Sequence, residues 1–218
     1  MAQLFGPGAD VVARIVLVAL VVTPFLIVGS LYVWAGSPYH TRAGETVAQP
    51  ILFSHAHHVG ELGLDCRFCH ASVETGRFAG MPATEVCMTC HSQIWTNAPM
   101  LAPIRESLAK DQPIQWVRVN NLPDYVYFDH SVHVAKGVPC EACHGRVADM
   151  PLMRQAAPLT MGWCLDCHRN PGPNLRPREA EFDTRWTGVG DPAKRAAALM
   201  AAYHVSTAGL TDCATCHR

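Results

Sequence analysis

The sequence predicts a mainly α chain with much irregular structure: one N-terminal transmembrane helix, then a domain of short helices and loops. Three observations carry this reading. Residues Ile15 to Trp34 form a twenty-residue run without a charge. All ten cysteines fall in five copies of C-x-x-C-H. The pattern F-x-H-x-x-H occurs twice, each time ahead of two of those copies.

The uncharged run, IVLVALVVTPFLIVGSLYVW, matches the ~20 residues a helix needs to cross the hydrocarbon core. Pro24 is a kink point, and Tyr32 and Trp34 sit where an interfacial aromatic belt lies. A cleaved signal peptide is the competing reading, since Val33-Trp34-Ala35 loosely resembles a cleavage site. The apolar stretch exceeds the ~7–15 residues of a signal h-region, however. A buried core helix is a poor third for an apolar segment that precedes the whole domain. The expectation is a retained anchor in residues 1–36, followed by one domain over 37–218.

The five motifs are Cys66/Cys69/His70, Cys87/Cys90/His91, Cys140/Cys143/His144, Cys164/Cys167/His168 and Cys213/Cys216/His217. Disulfides or zinc would use cysteine pairs, but neither requires a histidine directly after each pair. Twelve histidines in 218 residues would not fall there five times by chance. C-x-x-C-H is the attachment signature of c-type haem. On a helical turn, positions i, i+3 and i+4 share a face. Two thiols then form thioethers to the porphyrin while the adjacent imidazole binds the iron. Five covalently attached haem c groups are expected. Because haem c is normally attached outside the cytoplasm, the domain belongs on the periplasmic side of the cytoplasmic membrane. Arg14, offset by Asp10, is only a weak charge signal for the same orientation.

The two F-x-H-x-x-H stretches align Phe53, His55, His58 and Cys66 with Phe128, His130, His133 and Cys140. The domain therefore reads as a duplicated two-haem unit, about 53–91 and 128–168, with a fifth haem in about 192–218. His55, His58, His130 and His133 supply one distal ligand for each of four irons. Two histidines at i and i+3 reach different irons, which pins neighbouring haems together. For the fifth haem, His204 and Met161 are rival distal ligands, and His/Met ligation would raise its potential. The remaining chain suggests a short helix at IRESLAKD, an extended-looking WVRVNNLPDYVYF, loop over 169–192 and a helix over 192–204 behind Pro192.

No Gly-rich phosphate loop or nucleophile elbow is present, and no catalytic residue is assigned. A net charge of −1 without a basic cluster excludes nucleic acid as the expected partner.

The histidine pairs resemble those of the small multihaem cytochromes of the c3/c7 class. There the first histidine of a pair usually serves the haem that follows it. By that resemblance His55 serves the Cys66 haem and His130 the Cys140 haem; His58 and His133 serve those at Cys87 and Cys164, in an open order.

The anchor, the paired units, the VNNLPDYVYFDHSVH and LTMGWCLDCHR stretches and the terminal CATCHR together resemble the membrane-anchored pentahaem cytochrome subunit of bacterial alternative complex III. The resemblance implies a non-catalytic relay, in a respiratory or photosynthetic complex, that passes electrons from menaquinol oxidation to a periplasmic cytochrome or oxidase. It also implies partners: integral-membrane quinol-binding subunits, an iron–sulfur protein and a monohaem cytochrome c. A membrane-anchored multihaem quinol dehydrogenase, with a quinol site of its own, is the alternative.

Overall fold

A computed structural model describes residue 6 and residues 8–217. The chain divides into two compact units, Met1–Arg42 and Ala43–Arg218. Among the described residues there is no strand, only an isolated antiparallel bridge between Thr46 and Arg154.

The first unit is helix α1, Ala9–Gly36, followed by the single turn α2, Pro38–Thr41. At 1.5 Å per residue, α1 is about 42 Å long. It therefore exceeds the predicted span at both ends. Pro24 lies within it without ending it. The helix stops where Ser37 turns extended and its backbone N–H and hydroxyl both donate to the Trp34 carbonyl. Pro38 then opens α2 at a position where its missing N–H costs nothing. By length and composition α1 is able to cross a membrane, a property it shares with N-terminal signal sequences.

Among the described residues the second unit contains eight further α-helices, most of them very short: α3 Cys66–Cys69, α4 Thr84–His91, α5 Ala102–Lys110, α6 His130–Ala135, α7 Cys140–His144, α8 Met161–Arg169, α9 Pro192–Ala202 and α10 Cys213–Cys216. Side-chain oxygens start several of them. Asp65 accepts from Arg67 N–H, Asp129 from Ser131 N–H, Thr160 from Trp163 N–H, and Asp191 from the N–H groups of Ala193 and Lys194. Each satisfies a helix-start donor that would otherwise be orphaned.

The segment 116–128 does not pair as a strand. Instead the Gln49 side chain imitates one, donating to the Val117 carbonyl at 2.8 Å and accepting from its N–H at 2.9 Å. Residues Ala56–Glu61 form a π-turn rather than an α-turn, a distortion frequent at functional sites.

Among the described residues only nine hydrophobic side chains are buried, and one cluster, Ile51, Leu101 and Ile104, packs with Cys87, Met88 and Trp116. So small a core cannot by itself hold some 176 residues in place. Polar contacts supplement it. Arg176 donates to Glu141 at 2.7 Å with both side chains largely covered, and its guanidinium stacks over Trp186. Gly137, at φ 78°, lets the chain pass Tyr203, whose Cε2 would lie 2.5 Å from an added Cβ.

Candidate haem centres

All five C-x-x-C-H motifs lie on helical turns. In α3, α4, α7, α8 and α10 the two cysteines are three positions apart, with the histidine closing or just following the helix. This is the arrangement two thioether links and a proximal imidazole require. The ten thiols are free.

The distal candidates are placed by the repeat. In the first unit Phe53 stacks on His58 at 4.3 Å and meets His55 edge-on at 4.9 Å. In the second, Phe128 lies 4.5 Å from His133 and edge-on to His130 at 4.8 Å. The phenylalanine of F-x-H-x-x-H thus separates and orients the two imidazoles, a role its place in the motif hinted at.

Across from these rings stand the motif histidines. His58 faces His91 at 6.3 Å between centroids, His130 faces His144 at 6.3 Å and His133 faces His168 at 6.2 Å. His130 and His144 are nearly parallel, 5° apart. A metal–imidazole bond is about 2 Å and the ring adds roughly another ångström to its centroid. Two imidazoles on opposite sides of one metal therefore lie roughly 6 Å apart, which is the spacing seen three times. His55 completes the set beside His70, close enough that a charge on either would oppose the other.

The protonation states agree. Nδ1 of His58 contacts the Ser54 carbonyl, His70 that of Gly80, His130 that of Arg77, His133 that of Asp129, His168 that of Leu210 and His217 that of Tyr125, at 2.7–3.1 Å. A carbonyl only accepts, so each Nδ1 carries a proton, and in the neutral form of such a ring Nε2 is the atom with a free lone pair. This fixing of ring and tautomer by an outer partner is what ligating histidines show. Burial pulls the pKa of His55 and of His144 down to about 4, helped by neighbouring histidines, so both rings are neutral at pH 7.

These residues fit haem rather than a bare metal ion. Among the described residues no three His, Cys, Asp or Glu side chains converge on one point. The donors come in opposed pairs, and a porphyrin, which supplies four equatorial nitrogens, needs only two more. Bound there, it supplies one-electron chemistry at iron. The protein's part is to hold the imidazoles, set their basicity and limit solvent.

Three predicted or leftover residues stand apart. Met161 begins α8, one turn before Cys164, and is 67% exposed. His204 is exposed with a left-handed backbone, φ 51°. His57 instead pairs with Glu61 at 2.8 Å and stacks on Trp95. The accepting carbonyls of Gly80, Arg77, Leu210 and Tyr125 were invisible to sequence reasoning, because a backbone acceptor has no residue signature.

Residues 126–218 match the family described as cytochrome c7 and related cytochrome c. A stretch of 97 residues, 44% of this chain, is 38% identical to a protein of Nitratidesulfovibrio vulgaris (strain Hildenborough) named menaquinone reductase, multiheme cytochrome c subunit. The match spans 45% of that relative, about half its length. With the opposed imidazoles and the motif helices, this match likens residues 126–218 to the multihaem cytochromes c, a class whose chemistry is electron transfer through covalent haem c. More particularly, residues 126–218 form a c7-like multihaem domain at the end of a mainly helical chain.

Replacing His133 by Ala in the haem-loaded protein should convert one haem from low-spin to a high-spin, carbon-monoxide-binding form. Visible and electron paramagnetic resonance spectra read this. Spectra identical to those of the parent would remove His133 from the ligand set.

Proposed function

We propose that this chain is the pentahaem electron-relay subunit of an alternative complex III-type quinol oxidoreductase, carrying electrons from menaquinol oxidation to a periplasmic cytochrome or oxidase. The observation that carries the reading is the set of opposed imidazoles. Four haems would then each be held between two histidines, His55 and His70, His58 and His91, His130 and His144, and His133 and His168, which would leave the iron to pass electrons without binding substrate.

In this reading Cys66/Cys69, Cys87/Cys90, Cys140/Cys143, Cys164/Cys167 and Cys213/Cys216 anchor five haems. Their proximal ligands are His70, His91, His144, His168 and His217. The distal ligands are His55 for the Cys66 haem, His58 for Cys87, His130 for Cys140 and His133 for Cys164. The 6.2–6.3 Å facing of His58 with His91 and of His133 with His168 supports the two assignments that spacing left open. The small side-chain core accords with porphyrins filling the interior.

Met161 is the distal ligand we assign to the fifth haem. It lies one turn from Cys164, and the Cys164 thiol is close enough to Cys216 for their charges to interact. Thioether ligation would make this haem the most oxidising of the five. Met161→Ala should lower that one potential and open its iron to external ligands, while His204→Ala should change neither. The reverse outcome would assign His204.

Helix α1 serves as the membrane anchor, with the haem domain on the periplasmic side. Integral quinol-binding subunits, an iron–sulfur protein and a monohaem cytochrome c are the expected partners in a hetero-oligomeric complex. The printed name of the Nitratidesulfovibrio relative, a subunit of a menaquinone reductase, supports both the quinone chemistry and the subunit role. An anchored quinol dehydrogenase with its own quinol site is the second reading, and the apolar length of α1 suits both.

Stopped-flow reduction by a menaquinol analogue separates the two. The intact complex should be reduced rapidly and this chain, purified alone in detergent, slowly. Equal rates would place a quinol site on this chain and replace the relay reading.

A further inference from the structure

We infer that the five haem sites form one unbranched row in the order Cys87, Cys66, Cys140, Cys164, Cys213, with electrons exchanged with partners at its two ends. This deepens the five-haem relay proposed above and rests on it. The row departs from chain order at one point: the second motif, not the first, stands at the end.

Each joint has its own contacts. The Cys87 and Cys66 sites meet because His58 faces His91 while His55, three residues earlier and against the same Phe53 ring, lies beside His70. Cys69 and Cys87 are also within electrostatic reach of each other.

The Cys66 and Cys140 sites adjoin, their thiols lying within electrostatic reach of each other. Here the two repeats are stitched together. The backbone N–H and Nδ1 of His130 both donate to the Arg77 carbonyl, at 3.1 and 2.9 Å, and Ala56 N–H donates to the Met150 carbonyl at 2.9 Å. Arg77 belongs to the loop that follows the Cys66 motif, and Met150 to the loop that follows the Cys140 motif.

The Cys140 and Cys164 sites repeat the first joint: His130 and His133 lie on α6 against Phe128, facing His144 and His168. Cys143 lies within electrostatic reach of both Cys164 and Cys167. The last joint is made by Nδ1 of His168, which donates to the Leu210 carbonyl at 2.8 Å, three residues before Cys213.

Exposure marks the ends independently. Of the ten cysteines, only Cys90 and Cys213 are exposed; the other eight are partly covered. One belongs to each terminal site. The Cys87 end is also held differently, by α5 and the Ile51–Leu101–Ile104 cluster rather than by the second repeat. Electron transfer falls steeply with distance, so partners reach the row fastest where a haem edge meets solvent.

Iron-edge anomalous diffraction from the haem-loaded protein, or iron positions from the intact complex, tests the order. Five irons should be found, those of the Cys87 and Cys213 haems each having one near neighbour and the other three having two. Five irons with the Cys87 iron nearest that of Cys140 or Cys164, or a branched cluster, would overturn the row and leave the relay standing. Fewer than five irons would overturn both, and the iron count tells the two failures apart.

Discussion

The domain depends on one geometric constraint: two imidazoles must face each other across roughly 6 Å, the spacing kept by two ligands on opposite sides of one metal. Much of the local structure serves that end. The caps of α3, α6 and α8 start helices only one to three turns long, enough to place a motif's cysteines in α3 and α8, or the two histidines of α6, on one short turn. Carbonyl partners of Nδ1 then fix the orientation and proton of six of these rings, while Nδ1 of His55 and of His144 is buried without one. At about 1 kcal/mol net, such hydrogen bonds add little stability one by one. Their larger effect is selective, because they make the ligating tautomer the one already present.

Duplication explains how a short chain satisfies this constraint repeatedly. In the proposed assignment a single turn carrying two histidines around one phenylalanine would serve two neighbouring sites, so each copy would yield a coupled pair. Joining the copies takes a separate device. The Arg77 carbonyl supplies it by accepting from the second repeat's first distal histidine, while the Arg77 guanidinium donates to the Phe128 and Val126 carbonyls. One loop residue thereby sets both the orientation of a ligand and the packing of one repeat on the other.

Much of this was readable in the sequence, for physical reasons. Covalent attachment demands a fixed local spacing, so the five motifs could be found by inspection. The N-terminal helix, the mainly helical class, and α5 and α9 also follow from composition and breakers; Asp111 at φ 50° and Pro192 mark boundaries close to those expected. What could not be read depends on long-range contact. Spacing alone gives no means of choosing whether His58 belongs with His91 or His168, since that choice is made by how two loops fold back. The Gln49–Val117 pairing and the Arg176–Glu141 ion pair span 68 and 35 residues and carry no local signature. The π-turn at Ala56–Glu61 is likewise hidden, because the same histidine spacing suits an ordinary helical turn.

The central claim is that every C-x-x-C-H turn carries a covalent haem. Intact-mass spectrometry of the denatured, haem-loaded protein tests it most directly, since thioether links survive unfolding and axial bonds do not. The account predicts one dominant species at the polypeptide mass plus five haems. A dominant species with four or fewer would contradict it.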